Sequence, residues 1–190
     1  WALLLWSLVL LLATVALARL SATDGLGNRL GAAIAALLVV VPGTITQVDQ
    51  AWTEPLLAAL IVVWSVLVAR GRAWWSIIPL ALACASKQHL ALVVPLLLVW
   101  RPFGWRRVLA TGALTAALIS PWVLADFAAF WHDTVTALVQ FHPIRFANTW
   151  FLFFLNEFGI TLPFWVTGLV VLGALAIAMV AVLRRQPDLG

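Results

Sequence analysis

Three polar side chains interrupt an apolar stretch near the middle of the chain. Lys87, Gln88 and His89 lie within ALACASKQHLALVVPLLLVW, residues 81–100, which is long enough to cross a bilayer. A charged side chain at the bilayer centre costs about 2.5–3.5 kcal/mol on insertion scales, so such residues are usually functional. Lysine binds phosphate as a point charge. The triplet therefore indicates phosphate binding, or else an interfacial turn at which Lys87 merely snorkels to the surface.

A second polar group lies in TITQVDQAWTEP, residues 44–55. Asp49 and Glu54 are its carboxylates, and each is a candidate catalytic base. Thr53 can cap a helix that begins at or just before Pro55, and Glu54 in the first turn suits the positive end of the helix dipole. Helix capping is therefore the alternative role for Glu54. Asp49 and the nearby Gln47 and Gln50 have no capping role. We therefore expect that segment 44–55, which we call the polar rim, contacts a polar ligand.

A third group lies in FHPIRFANTW, residues 141–150. His142 and Arg145 flank a proline turn between aromatic residues, and the planar guanidinium of arginine suits bidentate contact with phosphate. Interfacial anchoring by Arg145 and the aromatic residues is the alternative. The three histidines form no short metal-ligand motif, and no glycine loop for phosphate or nucleophile elbow occurs. We expect no metal and no cofactor.

Composition places these groups in a membrane protein. Of 190 residues, 65% are hydrophobic and 9% are charged, against roughly 25% charged residues in an average soluble domain. The apolar runs have the length of spanning helices rather than of barrel strands. The net charge of +4 does not require nucleic acid as a partner, because the basic residues cluster in short loops. The runs are 1–18, 30–46, 55–69, 73–86, 90–100, 108–125 and 163–183.

The arginines predict a hairpin at the Lys87 triplet. A single helix over 73–100 would place two arginines on one side of a membrane and three on the other, against the positive-inside rule. These arginines are Arg70, Arg72, Arg101, Arg106 and Arg107. A turn at 87–89 places nine of the eleven basic residues on the cytoplasmic face. The two arms span only about 21 and 17 Å, so we expect the turn in a depression that water or headgroups enter.

The predicted fold class is all-α. We expect a polytopic transmembrane helical bundle of about seven membrane helices, including the short hairpin, in a single domain over 1–190. The outer segment 126–162 is long for a connection. Its first half places Phe127, Phe130 and Trp131 at helical spacing, which predicts an extracytoplasmic interfacial helix. Because the chain opens with Trp1 inside an apolar run, we expect it to be a piece of a longer protein.

The three groups together resemble a known family. The first feature is a polar Gln47-x-Asp49 motif followed by Trp52-Thr53-Glu54-Pro55. The second is a lysine at the turn of a short outer hairpin, in ASKQHLALVVP. The third is a basic aromatic patch, in FHPIRF. This arrangement is similar to that of the polytopic C-superfamily glycosyltransferases that use polyprenyl-phosphate sugars, particularly the bacterial mannosyltransferase-like and arabinosyltransferase-like membrane proteins.

The resemblance implies an activity and partners. The implied reaction transfers a sugar from a polyprenyl-phosphate donor to a hydroxyl of a glycan or glycolipid acceptor, outside the plasma membrane of a bacterium. The family's catalytic carboxylate lies in the first extracytoplasmic loop, which we expect upstream of residue 1, so Asp49 and Glu54 are candidates only. The candidate donor phosphate ligands are Lys87, Gln88, His89, His142 and Arg145.

Two other functions remain open from the sequence. A transporter or flippase for a lipid-linked substrate would also place polar residues in a membrane cavity, although such proteins tend to have paired broken helices in related halves. A structural membrane subunit would leave the outer polar groups unexplained.

Overall fold

A computed structural model of the protein describes residues 2–21, 32, 33, 36, 53–137 and 150–185. In these residues the regular structure consists of helices, without a strand, which confirms the all-α prediction for the described part. The α-helices are α1 (Ala2–Ser21), α2 (Glu54–Ala69), α3 (Ile77–Ser86), α4 (Val94–Val99), α5 (Gly104–Ala125), α6 (Phe127–Trp131), α7 (Trp150–Phe158) and α8 (Phe164–Arg185). A 3-10 helix covers Gln88–Val93, and a π-helical turn covers His132–Thr136.

The chain forms two compact units, Trp1–Ile119 and Ser120–Gly190, with the boundary inside α5. In the first unit, α2 packs against both α1 and α3. The apolar run 30–46 lies almost entirely outside the described residues, so the helix predicted there stays a prediction.

Helix α2 begins as the sequence indicates, but without the predicted side-chain cap. Glu54 lies in its first turn and Pro55 at its start, as expected. Thr53 occupies the N-cap position, yet its hydroxyl makes no capping hydrogen bond. The prediction of a Thr53 side-chain cap is therefore wrong. Thr53 has helical backbone angles, φ −78° and ψ −8°, rather than the extended conformation with which a capping hydroxyl reaches the first-turn N–H groups.

The predicted break at the Lys87 triplet is confirmed. Helix α3 ends at Ser86, and Lys87 has an extended backbone with φ −145° and ψ 102°. The chain then continues as the 3-10 helix and α4, which has a proline in its first turn. The second arm is thus 3-10 helical over half its length, rather than α-helical throughout.

The chain also reverses direction at this break, as the hairpin prediction requires. One buried cluster contains Val68, Ala73, Ile77, Leu80, Leu97 and Phe103. Ala73 and Phe103 would lie roughly 45 Å apart at the two ends of a continuous helix. Their presence in the same cluster means that α4 returns toward the start of α3.

Helix α5 runs beside α3 in the same direction. The Arg107 guanidinium lies over the Trp74 ring, 5.4 Å from its centroid, and the Thr115 hydroxyl donates to the Ala81 carbonyl at 3.4 Å. Residues near the start of each helix are therefore neighbours, and so are residues one or two turns further on. This alignment places the loop after α2 and the start of α5 at one end of the hairpin, opposite Lys87.

Among the described residues, α5 is the helix whose length and apolarity suffice to cross a membrane. Five further apolar segments have 10 to 17 residues. The predicted number of about seven membrane helices is therefore not established by the described part of the chain.

In the second unit, Asp126 caps α6 by accepting a hydrogen bond from the Ala129 N–H at 2.9 Å. The helix predicted after Asp126 is present, although it widens into the π-helical turn after Trp131. Helix α7 was not predicted. Its signal was the aromatic run that starts at Trp150, and Phe153, Phe154 and Phe158 pack on one another with ring centroids 5.6–5.8 Å apart.

Candidate functional site

Two of the residues singled out from the sequence form an ion pair. Lys87 Nζ lies 2.9 Å from Glu54 Oε1. Glu54 is at the first turn of α2 and Lys87 follows the last residue of α3. Since α2 and α3 are consecutive and packed side by side, the start of one helix meets the end of the other. The fold thus joins a candidate base to a candidate phosphate ligand.

The backbone of Lys87 is held on both sides. Its N–H donates to the Ala83 carbonyl at 3.0 Å, and its carbonyl accepts from the Leu90 N–H at 3.1 Å. These bonds close the end of α3 and begin the 3-10 helix. Lys87 is therefore fixed at its Cα, while its long side chain can reach Glu54 or another anion nearby.

The ion pair is accessible from outside the protein. The Lys87 and Glu54 side chains are 30% and 32% exposed. Ion pairs with such access to water contribute about 0–1 kcal/mol to stability. The pair therefore costs little to open, and either group is available to a ligand: Lys87 to an anion, and Glu54 to a hydroxyl whose proton it could accept.

The other candidate site residues from the sequence fall into two groups. Some lie next to Lys87 in the chain, and the others lie outside the residues that the structure describes. Gln88 begins the 3-10 helix, and His89 follows it with an exposed side chain. His89 interacts electrostatically with the Glu54 carboxylate. Asp49, His142 and Arg145 lie outside the described residues, so their part in the site stays a prediction.

An apolar groove is lined by residues that flank Lys87 in the chain. It has a volume of about 510 Å³, within the range of about 300–1,000 Å³ that is typical of small-molecule sites. Helices α3, α4 and α5 and the 3-10 helix form its walls. Among its lining residues are Leu80, Cys84, Leu90, Leu97, Thr111 and Gly112. Lys87 lies between Cys84 and Leu90 in the chain, so the turn that carries the ion pair adjoins the groove.

Small residues of α5 leave the space for this groove. Gly112, Ala113 and Ala116 all line it, and a Cβ added at Gly112 would meet no atom within 4 Å. The Thr111 hydroxyl donates to the Arg107 carbonyl at 2.8 Å, which satisfies it within its own helix. The groove therefore offers hydrocarbon surface to a ligand. The groove was not predicted, although the small residues Thr111, Gly112, Ala113, Thr115 and Ala116 were a signal.

Among the described residues of the second unit, the side chains of His132 and Asp133 are in polar contact. His132 Nδ1 lies 3.1 Å from Asp133 Oδ1, and both side chains are exposed. No cluster of three metal-ligating side chains occurs among the residues searched, which are those the structure describes.

Comparison of the chain with protein-family models, with curated proteins and with solved structures finds no match. The resemblance to C-superfamily glycosyltransferases therefore remains a prediction from the motifs.

Proposed function

We propose that the chain belongs to an integral membrane glycosyltransferase, which transfers a sugar from a polyprenyl-phosphate donor to a hydroxyl of a glycan or glycolipid acceptor. Two observations carry this proposal: the Glu54–Lys87 ion pair, and the apolar groove whose lining residues Cys84 and Leu90 flank Lys87 in the chain. A lipid-linked sugar phosphate needs both features, because its phosphate is charged and its lipid part is hydrocarbon.

The groove and Lys87 would hold different parts of the donor. Hydrocarbon buried in the groove gains about 0.8 kcal/mol per CH₂ group relative to water, although a lipid tail arriving from a bilayer gains less. The main effect of the groove is therefore to position the lipid tail of the donor. A charge-assisted hydrogen bond from Lys87 to the phosphate would contribute about 1.5–3 kcal/mol. The distance along the chain from Cys84 to Lys87 is less than one helical turn, which keeps the two subsites adjacent.

The ion pair also provides the two groups that sugar transfer requires. The bond between the sugar carbon and the phosphate oxygen breaks, and a bond to the acceptor oxygen forms. Polyprenyl phosphate leaves with an added negative charge, which Lys87 would stabilise. The acceptor hydroxyl loses its proton to a carboxylate. Among the residues that the structure describes, Glu54 is the candidate for this base. Asp49 or a carboxylate upstream of residue 1 is the alternative.

The proposed setting is the extracytoplasmic face of a bacterial plasma membrane, in a bundle of about seven membrane helices. Two observations support it: the length and apolarity of α5, and the location of five arginines at the end of the hairpin opposite Lys87. By the positive-inside rule the arginine end is cytoplasmic, so Lys87 lies toward the outside.

The test is donor-dependent sugar transfer by the full chain in proteoliposomes. We expect Lys87→Met to lower kcat/KM for a polyprenyl-phosphate sugar by roughly ten- to a hundred-fold, and Lys87→Arg to retain part of the activity. Arg184→Gln, a charge change at the end of α8, is the matched control and should leave the rate unchanged. A Lys87→Met rate equal to wild type would contradict the proposal. Lipid movement across the bilayer without a glycosylated product would instead favour the transporter.

A further inference from the structure

Five arginines of the first unit lie at the end of the hairpin away from Lys87. Arg70 and Arg72 lie in the link between α2 and α3, and Arg101, Arg106 and Arg107 lie at or just before the start of α5. The sequence contains no Asp or Glu between residues 55 and 125. This end of the hairpin therefore concentrates cations without acidic residues in the same segments.

Packing brings the two arginine segments together in space. Val68 and Ala73, which flank the first segment, share a buried cluster with Phe103 of the second. The Arg107 guanidinium lies over the Trp74 ring. The five arginines consequently occupy one surface, which we call the arginine surface.

Arg107 has a structural role in this surface. Its Nη1 donates to the Phe103 carbonyl at 2.6 Å and to the Pro102 carbonyl at 3.4 Å. These contacts hold the start of α5 against the preceding turn. Because its Nη1 is already bonded and its Nε is buried, Arg107 contributes mainly its positive charge.

Three other arginines are exposed and available. The side chains of Arg70, Arg72 and Arg106 are exposed, and among the described residues none has a carboxylate within ion-pair distance. Arg106 lies over the Trp105 ring, 5.5 Å from its centroid. Like charges gathered at one end of the hairpin repel one another, so an anion from outside the chain would stabilise the surface.

Exposed tryptophans beside the arginines indicate which class of anion binds there. Trp74, Trp75 and Trp105 are 58%, 68% and 57% exposed, and all three lie within four residues of an arginine. Tryptophan is enriched at the level of lipid headgroups, where its ring contacts hydrocarbon and its N–H contacts water. An anion bound among these rings is therefore a headgroup phosphate rather than a soluble metabolite.

We infer that the arginine surface binds the headgroup of an anionic phospholipid. Arg72 and Arg106 would contact the headgroup, with Arg70 beside them, and the tryptophans would contact the adjoining acyl chains. This site is distinct from the Lys87 site, because the ten residues of α3 separate the two by about 15 Å. It does not depend on the proposed transferase activity.

The test measures phosphatidylglycerol bound to the full chain by native mass spectrometry, in nanodiscs that contain phosphatidylglycerol and phosphatidylcholine. Each arginine near a membrane surface contributes about a fivefold gain in affinity for anionic lipid. We expect Arg72→Gln with Arg106→Gln to weaken phosphatidylglycerol binding by roughly 25-fold. The double lysine variant at the same positions should retain most of the binding.

The matched control removes the same charge elsewhere. Arg184→Gln with Arg185→Gln, at the end of α8, should change binding by less than about threefold, because neither residue is among the five arginines of the surface. Equal losses in both double variants would mean general surface attraction and would overturn the inference, as would unchanged binding in the first. Arg70→Gln with Arg106→Gln provides an independent pair if the first variant loses helical circular dichroism.

Discussion

Lys87 Nζ contacts Glu54 Oε1 at 2.9 Å and so ties the first turn of α2 to the residue that ends α3. The contact joins the two helices at the end opposite the arginine surface. It also means that Lys87 already has an anionic partner before any ligand arrives. A phosphate that binds Lys87 must share it with Glu54 or displace Glu54, and displacement would release a carboxylate next to the bound phosphate.

A double-mutant cycle would measure this ion pair. We expect Glu54→Gln and Lys87→Met to couple by about 0.2–1 kcal/mol, because both side chains are partly exposed and water weakens their attraction. The measurement is the free energy of unfolding of the two single variants, the double variant and wild type in the same detergent. Purely additive losses would show that the contact does not contribute to stability.

Glu54→Gln separates binding from catalysis. Removing the carboxylate frees Lys87, so we expect affinity for polyprenyl phosphate to rise by a few-fold. If Glu54 is the base, kcat for transfer should fall by roughly 10²–10⁴-fold. Isothermal titration and single-turnover kinetics measure the two effects. An unchanged kcat would restrict Glu54 to positioning Lys87.

Asp49→Asn tests the other carboxylate. If Asp49 lines the donor or acceptor site, we expect transferase activity to fall by at least tenfold without loss of folded protein, because the amide cannot accept the hydroxyl proton. Activity of purified protein with an unchanged elution profile is the measurement. Full activity would remove Asp49 from the site.

Gly112→Leu would fill part of the apolar groove. Gly112 lines the groove and faces open space, so the new side chain should project into it without a clash. Displacing two or three CH₂ groups of the donor's lipid tail should raise KM for a long-chain donor by a few-fold, less than transfer of those groups to water would cost because they return to the bilayer, with little change for a short-chain donor. Gly173→Leu in α8 is the control, because it also faces open space. If Gly112→Leu changed KM equally for long-chain and short-chain donors, the lipid tail of the donor would not bind in this groove.

Thiol labelling tests the orientation of the hairpin. In a Cys84→Ser background, His89→Cys should react with an impermeant reagent added to intact cells, whereas Arg106→Cys should react only after lysis. Both side chains are exposed. Gly71 and Gly104 are unsuitable positions, because their φ angles of 72° and 76° would strain a cysteine. If Arg106→Cys but not His89→Cys reacted in intact cells, the predicted orientation would be wrong.

Features that depend on residues close together in the chain were predictable from the sequence. Apolar runs predicted α1, α2, α5 and α8 close to their observed bounds. The apolar run 73–86 ended where α3 ends, and the distribution of the arginines predicted that the chain turns at the triplet that follows. The positive-inside rule predicted that the five arginines would lie at one end, and the hairpin confirms this arrangement.

Which of these residues come into contact depends on tertiary packing and could not be predicted from the sequence. Glu54 had a sufficient local explanation as a first-turn acidic residue, and nothing in its neighbourhood pointed to Lys87. Their contact depends on how α2 and α3 pack side by side. The groove likewise exists because Gly112 and its small neighbours on α5 face the hairpin, and that rotation of α5 is set by contacts such as Arg107 with Trp74. Such contacts join residues distant in the chain, so no local pattern encodes them.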